Sequence, residues 1–488
     1  MNNKSKNNLF KKISDEMFIT SNVGRSARVH CGNYWEWFLE QSKNDMHVAR
    51  KDANLLYKKF GVTYTITGGE IEKNKLLRNE RIIPFDLIPR ILSRNEWGKL
   101  EEGLIQRIYA INAFLQDAYH EGKIFSDGII PPELIYQNSQ FRHQMIGCNL
   151  PDNIYAHISG TDLIRNNDDN FYVLEDNLRV PSGISYMLEN RKVMMRLFPD
   201  AFKRTKVAPI DHYPDLLLKH LKKTATRISD NPNVVILTPG QYNSAYFEHS
   251  YLANQMGIEL VEGQDLFLVD NKVYMKTTSG SVRVDVIYRR LDDDFLDPLF
   301  FRPDSVLGVP GIFSAIKDRS VIICNAVGTG IADDKSVYPY VPDMIKYYLG
   351  EEPLLRNVKT FLCRNKRHKN YVLANLHKLV VKKVHGAGGV GMLVGPLAGK
   401  EELLKFKEAI SNNPEGFIAQ PLLALSTSPV FTSAGVVSRH VDLRSFTLHG
   451  KDNIIIPGGL TRVALKEASV VVNSSQGGGT KDTWVSWS

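Results

Sequence analysis

The segment FYVLEDNLRVPSG (171–183) sets a carboxylate, Glu175, and an amide, Asn177, two residues apart in an apolar run. Arg179 and a Pro-Ser-Gly turn follow at once. Alternate side chains of an extended strand share a face, so Val173, Glu175 and Asn177 should point one way and Tyr172, Leu174 and Asp176 the other. Two side-chain oxygens held side by side on a rigid element suit a hard divalent cation. LVVKKVHGAGGVGMLVG (379–395) offers the complementary chemistry, with Lys382 on an apolar strand ahead of Gly386, Gly388, Gly389 and Gly391. Glycine amides approach anionic oxygens without Cβ obstruction, so such a loop can close over a polyphosphate. An ordinary hairpin turn has the same composition. The loop is not a Walker P-loop, because no GK[ST] opens a helix after it, and it lacks Rossmann spacing.

Three further stretches carry polar groups on apolar strands. FIAQPLL (417–423) presents Gln420, and its backbone could meet an adenine edge; a plain buried strand end explains it as well. HVDLRSFTL (440–448) and IIIPGGLTRVAL (454–465) place Arg444 and Arg462 where a lone charge would be costly, so each should meet a carboxylate or a phosphate. VVVNSSQGGGTKDTW (470–484) adds a second glycine loop behind Asn473. Two glycine loops, strand lysines and a Glu-x-Asn pair together suggest one phosphate-and-metal site.

The elements that must position these groups follow from periodicity. EWGKLEEGLIQRIYAINAFLQDAYH (96–120) spaces Trp97, Leu100, Leu104, Ile108, Ile111 and Leu115 by threes and fours, which predicts a long amphipathic helix. VTYTITGGE (62–70) alternates like a strand before a Gly-Gly turn, and YAHISGTDLIRNNDDNFYVLEDN (155–177) reads as a hairpin around RNNDDN. RKVMMRLFPDAF (191–202) reads as helix. From residue 230, PNVVILTPG, NSAYFEHSYLANQMG and IELVEG make a βαβ unit. The chain is therefore an α/β (α+β) molecule without internal repeats. Its expected segments are a mainly helical region (1–150), the segment with Glu175 and Asn177 (151–229), the βαβ unit (230–320), the segment with the first glycine loop (321–416) and the Gln420 strand with the C-terminal segment (417–488).

Bulk composition excludes several classes. With 488 residues, 43% hydrophobic and 23% charged, the chain suits about three globular domains rather than disorder. No apolar run reaches the roughly 18 residues of a membrane span, and MNNKSKNNLFKK lacks the apolar core of a secretory signal. Cys31, Cys148, Cys324 and Cys363 are scattered without zinc-ligand spacing, which fits a reducing, cytoplasmic setting. The net charge of +8 is spread along the chain, and its one dense cluster, CRNKRHKN (363–370), reads as a solvated loop rather than a nucleic-acid patch.

Seven blocks resemble the circularly permuted ATP-grasp family, relatives of glutathionylspermidine synthetase: PFDLIPR (84–90), FYVLEDNLRVPSGISYMLENR (171–191), LTPGQYNSAYFEH (237–249), VDVIYRRLDDDFLDP (284–298), NAVGTGIADDK (325–335), RHVDLRSF (439–446), and GGLTRVAL with VVNSSQGGG (458–479). The resemblance implies a clamp of two α+β subdomains on ATP, and activation of a carboxylate as an acyl phosphate for attack by an amine. It implies Glu175 and Asn177 as magnesium ligands, with Asp162 of SGTDLIR as the third. Lys335 and Lys382 would touch the nucleotide, as would Gly386, Gly388, Gly389 and Asn473, with Gln420 at the adenine-facing hinge. Arg179, Arg462 and Arg444 would steady the transferring phosphoryl group and the acyl phosphate. Tyr242, Asn243, Arg289 and Arg290 of the βαβ segment could contact an acidic substrate or serve the fold. Two positions depart from the pattern: Lys383 stands where relatives have proline, and Gly160 where the glutathionylspermidine synthetases have arginine, which makes glutathione a doubtful substrate.

The resulting expectation is an ATP- and magnesium-dependent ligase joining a small-molecule or peptide carboxylate to an amine, with no nucleic acid and no membrane. The alternatives are a phosphotransferase, or a non-catalytic ATP-binding module of a peptide-processing assembly with a helical or transglutaminase-like partner.

Overall fold

The computed structural model describes residues 15–21, 24–65, 80–166, 168–384, 391–423, 425–465, 472 and 478–487. Gly386, Gly388, Gly389 and Asn473 lie outside these residues, as does the Gly-Gly turn after the short strand Thr63–Thr65.

The hairpin read around RNNDDN is present: Ile158–Arg165 and Phe171–Asn177 pair antiparallel. They form part of a large sheet whose main path runs Arg356–Asn357, Phe171–Asn177, Ile158–Arg165, Gly435–Leu448, Leu460–Val463, Gly479–Ser486 and Phe85–Ser93. The last of these belongs to the segment expected to be mainly helical. It pairs parallel with Gly479–Ser486, so strands nearly 400 residues apart in sequence share one sheet.

One face of this sheet is closed by the predicted long helix, Arg94–Tyr119. Ser93 and Glu96 form a reciprocal capping box at its start, a device whose loss costs about 0.5–2 kcal/mol. Every residue of the predicted stripe from Trp97 to Leu115 is buried, and Trp97, Leu100 and Leu104 pack on Leu163, Val173 and Leu443 of the sheet. The opposite face meets the helix Ile184–Leu197, where Ile184 clusters with Ile158, Phe446 and Leu460.

The βαβ reading also holds. Val234–Leu237, the helix Tyr246–Met256 and Glu259–Val261 lie in a four-stranded, all-parallel sheet completed by Val286–Arg289 and Ile322–Cys324. Ile322–Cys324, just past residue 320, joins the βαβ unit's sheet by pairing with Val286–Arg289.

A third, antiparallel sheet orders Phe361–Leu362, Phe417–Pro421, Leu379–Lys383 and Leu393–Val394. Phe417–Pro421, expected with the C-terminal segment, is thus central here. The helices Lys366–Asn375 and Lys400–Asn412 cover the face carrying Leu379, Val381, Phe417 and Ala419. The basic stretch 363–370, read as a loop, mostly enters the first of these helices, because Asn365 caps it by accepting from the N–H groups of Arg367 and His368. Among the described residues no helix is long and apolar enough to cross a membrane.

Candidate active site

Register determines which side chains meet. Across the large sheet Glu175 stands opposite Asp162, and Asp162 opposite Arg444; one step along, Asp442 stands opposite Arg462, and Asn177 opposite Gly160. Directly opposed residues share a face, so Glu175, Asn177, Asp162, Asp442, Arg444 and Arg462 all project to the side away from the long helix. Val173 does not join them, contrary to simple alternation. A bulge leaves Leu174 unpaired, since Asp162 faces Glu175 whereas Leu163 faces Val173. The extra residue turns Val173 into the core beneath the long helix and re-aims Glu175.

The back of the Glu-x-Asn strand is pinned from that same helix. The Arg107 guanidinium donates Nε to Asp176 Oδ1 at 2.8 Å and Nη2 to Asp176 Oδ2 at 2.6 Å. Arg107 falls three residues after Leu104 on the buried face, and this charge in an apolar stripe was a legible signal that sequence reasoning passed over.

The front face is a chain of charges. Arg444 donates to both Asp162 oxygens at 2.6 and 2.8 Å, and Arg462 donates Nη2 to Asp162 Oδ2 at 2.7 Å. Arg462 also donates Nε to Asp442 at 2.9 Å. Each arginine meets a carboxylate, the structural alternative that the sequence left open. Burial alone would raise the Asp162 carboxyl, but Arg444 and Arg462 outweigh it and hold the group well below the usual carboxylate range. Asp442 goes the other way, pushed up by burial despite Arg462. Both oxygens of Asp162 are thus engaged by guanidinium groups, which does not suit the third-ligand role expected for it. Its neighbour across the strand differs: Glu175 is 28% exposed and faces the Lys335 ammonium at 3.6 Å. Asn177 donates its amide N–H to the Gly160 carbonyl at 3.1 Å, which turns the amide by one fixed bond.

Gly160, one of the two departures from the family pattern, sits against the Pro-Ser-Gly turn and Arg444. A Cβ there would come within 3.1 Å of Pro181 Cβ and 3.5 Å of Arg444 Cδ, so a side chain fits only if Pro181 gives way by a few tenths of an ångström. Pro181 and Ser182 are fixed by Arg290, which donates to the Pro181 carbonyl and the Ser182 hydroxyl and pairs with Glu248 at 3.0 Å. Glu248 in turn accepts from Gly183 N–H and Ser185 N–H at the start of the helix Ile184–Leu197. Arg289 is fully buried against Asp293 at 2.6 Å and donates to the Asn325 and Ala326 carbonyls. Both arginines therefore serve the fold and not an incoming acid. Tyr242 is 87% exposed, and Asn243 accepts from Ala245 N–H in a local turn.

Asn325 was quoted within NAVGTGIADDK but given no role, and it organises the loop that delivers Lys335. Its side-chain oxygen accepts from His157 and Ile158 N–H, both at 2.8 Å, while its amide donates to the Ile158 carbonyl at 2.6 Å and the Leu178 carbonyl at 2.5 Å. One amide thus ties the loop to the start of one site strand and the end of the other. A second tie joins Arg179 to Asp333 at 2.8 Å, and Asp333 also accepts from Leu178 N–H. Burial works against the Arg179 charge, but Asp333 and Asp292 more than offset it.

Lys382 comes from the third sheet. Its strand partner is Ile418, and Val380, two residues earlier, is opposite Gln420, so Lys382 and Gln420 share the face away from the two covering helices. Burial, the largest influence, lowers the Lys382 ammonium; Glu175 raises it and Lys335 lowers it further, with weaker influences from Asp162 and Arg462. Lys382 and Glu175 thus lie within electrostatic reach although they belong to different sheets. Gln420 is buried and donates to the Thr360 hydroxyl at 3.0 Å. Lys383 points oppositely and is exposed, with its stem laid over Gly391, where a Cβ would meet Lys383 Cδ and Cε at 3.2 Å. The additional charge is outside the cleft.

Chemically, four cations (Lys335, Lys382, Arg444 and Arg462) face three carboxylates (Asp162, Asp442 and Glu175). The excess and the half-exposed edge favour a polyanion. Glu175 and the Asn177 amide oxygen have the hard-oxygen character of magnesium ligands. Among the described residues no group of three or more His, Cys, Asp or Glu is arranged to hold a metal ion.

Comparison with known proteins agrees with this architecture. The model of the family described as circularly permuted ATP-grasp type 2 matches residues 89–464. An uncharacterized protein of Synechocystis sp. is 51% identical over 472 residues, covering 96% of each chain. One of Mycobacterium tuberculosis is 46% identical over 475 residues, covering 96% of this chain and 83% of the relative. A Frankia casuarinae protein, "Putative glutamate--cysteine ligase 2-2", is 43% identical over 409 residues, which cover 83% of this chain and 47% of that protein. Among solved structures, the apo form of a glutathione synthetase-like effector from Globodera pallida superposes with a TM-score of 0.60 at 11% identity, covering 92% of this chain and 98% of that one, a likeness of fold. With charges from two sheets meeting across one cleft and the family match spanning most of the sequence, this chain belongs to the circularly permuted ATP-grasp type 2 family.

Proposed function

We propose that the protein is an ATP-dependent carboxylate–amine ligase that works through an acyl phosphate. The observation that carries this reading is the meeting of Glu175 with Lys335 at 3.6 Å and, from the facing sheet, with the field of Lys382. Lys335 and Lys382 would hold the nucleotide phosphates, with Gln420 near the base. Glu175 and Asn177 would hold magnesium, which supplies charge neutralisation on the phosphates when bound. Arg444 and Arg462, anchored on Asp162, are rigid donors beside that position and would stabilise negative charge as the phosphoryl group moves to the carboxylate. The amine then attacks the acyl carbon, and phosphate leaves with the new amide formed. Most of the rate gain in this scheme comes from alignment and fixed charge.

The relative named as a glutamate–cysteine ligase supports an acid and an amine as the substrate pair, without naming either for this chain. The test is magnesium-dependent ADP release across a pooled library of amino acids, polyamines and peptides, with product masses read afterwards. A mass equal to acid plus amine minus water supports the ligase. A phosphorylated product without an amide means a phosphotransferase.

One observation favours a second reading. Asp162 is held by two arginines, which leaves two metal-ligand side chains instead of three. A nucleotide-binding module without turnover would tolerate that arrangement, and tight ATP binding with no ADP release across the library would identify it.

A further inference from the structure

Glu175 and Lys335 meet at 3.6 Å, yet one comes from a strand and the other from a loop far along the chain. Asn325 and Arg179 tie the two segments at the ends of the site strands. A further tie acts near the middle of the Glu175 strand, from the opposite face of the sheet. Lys335 sits inside a tight turn closed by Tyr338 N–H, which donates to the Asp334 carbonyl at 3.0 Å. The Asp334 carboxylate holds the same turn, accepting from the Ser336 N–H and hydroxyl at 2.7 and 2.6 Å and from Asn138 at 2.7 Å. The Tyr338 ring, 3% exposed, packs beneath the long helix among Trp97, Leu100, Leu104 and Val173. Its hydroxyl reaches the Glu175 strand, donating to the Val173 carbonyl while accepting from Val358 N–H at 2.8 Å. Burial pushes the phenol up, so the hydroxyl stays protonated and a donor.

The place of that bond matters. Val173 immediately precedes the bulge at Leu174, and the bulge is what aims Glu175 at the cleft. On the other side of Glu175, Asp176 is gripped by Arg107, whose guanidinium also donates to Asn357 at 2.8 Å. Asn357 donates in turn to the Tyr338 carbonyl at 2.9 Å, and the Arg107 guanidinium lies over the Tyr338 ring, 5.6 Å from its centroid. Tyr338, Arg107 and Asn357 thus form one closed unit that holds the bulge at both flanks. A bulge disrupts its own ladder, so the direction of Glu175 depends on these bonds.

We propose that Tyr338 is a positioning residue for the site: its hydroxyl, bonded to Val173, locks the bulge so that Glu175 faces Lys335. Tyr338 itself lies under the sheet and touches no ligand. What Glu175 then holds rests on the ligase reading above; the geometry does not.

Tyr338→Phe removes the hydroxyl and keeps the ring. Val358 N–H remains bonded to the Val173 carbonyl at 3.0 Å, so no backbone group is orphaned and the fold should survive. Two readouts are set beside the parent: the ligand-free crystal structure, and calorimetric ATP titrations with and without magnesium. In Tyr338→Phe the Glu175–Lys335 contact should be lost. The factor by which magnesium tightens ATP binding should fall about tenfold or more. ATP affinity without magnesium should match the parent's, because the Lys335 turn keeps its own bonds. Glu16→Gln, which weakens an arginine network elsewhere, should lose stability yet keep the full magnesium response; this separates positioning from stability. Retention of the Glu175–Lys335 contact in ligand-free Tyr338→Phe overturns the proposal. So does a parental magnesium response that Tyr338→Phe keeps in full, or that Glu16→Gln loses to the same degree. If the parent binds ATP with no response to magnesium, the ligase reading fails at its metal, and the ligand-free contact alone decides the role of Tyr338.

Discussion

Two networks of arginine and carboxylate are buried in the large sheet, and they differ in one respect. In the first, Arg90 clasps Glu16 through two bonds of 2.6 Å, with Arg165 and the Ser426 hydroxyl completing the carboxylate's surroundings; the Arg90 and Glu16 side chains are at most 3% exposed. In the second, Asp162, Asp442, Arg444 and Arg462 are as tightly paired, but the row continues to Glu175 and Lys335, which are 28% and 19% exposed. The first also reaches the surface, where Arg165 pairs with Glu96 and Asp169, 25% and 49% exposed. Its two arginines are matched by carboxylates and leave no cationic excess, which makes it a structural clasp. The second has an open end with a cationic excess, and that open end is where a ligand can enter. Ion pairing as such does not mark a site; a pairing row that runs out into a cleft does.

The largest effect that would test this contrast is Asp162→Ala. It strands Arg444, leaves Arg462 with Asp442 alone, and should cost about 3–5 kcal/mol in urea denaturation. A cost below about 1 kcal/mol would mean that the row is not a closed structural base for the open end. Glu16 sharpens the other half of the comparison. Its carboxyl is lowered from 4.5 to about 2: burial raises it, but Arg90 and Arg165 prevail. A depressed carboxylate contributes stability above its unfolded value, so about 3 kcal/mol should be present above about pH 4.5 and lost as pH falls toward about 2. Glu16→Gln should lose stability at neutral pH and flatten that acid limb, as followed by thermal melts across pH, with ATP binding unchanged. Next in size, Lys382→Met should weaken ATP binding about tenfold without lowering the melting temperature, because the ammonium is disfavoured by its burial. Smallest is Lys383→Ala. That side chain lies outside the cleft, so stability should stay within about 0.5 kcal/mol and ATP affinity should match the parent by calorimetry.

Much of the framework was legible from residue patterns. The stripe from Trp97 to Leu115, the RNNDDN hairpin and the βαβ unit announce themselves through periodicity and turn chemistry. The bulge at Leu174 does not, since an extra residue in a strand leaves no mark on apolar spacing, and it changes which way Val173 points. Strand partners were hidden for a related reason: Ile322–Cys324 and Phe417–Pro421 are short apolar strands whose partners lie far off in sequence. Residue types identified Glu175, Asn177, Lys335 and Lys382 as candidates. They could not show that Asp162 would be claimed by Arg444 and Arg462, because pairing across a sheet depends on register. Asn325 was hidden by being a single amide in a loop, and only its four backbone partners reveal its work.

The central claim is that Glu175 is the open end of the second network and holds the metal on a bound nucleotide. The direct test compares ATP titrations with and without magnesium, by calorimetry and ADP release, for the parent protein and Glu175→Ala. The account predicts that magnesium strengthens ATP binding in the parent, and that Glu175→Ala loses this dependence and about 10²–10³-fold of any turnover while melting within a few degrees of the parent. A Glu175→Ala protein whose ATP binding responds to magnesium as the parent's does, with turnover intact, would contradict it.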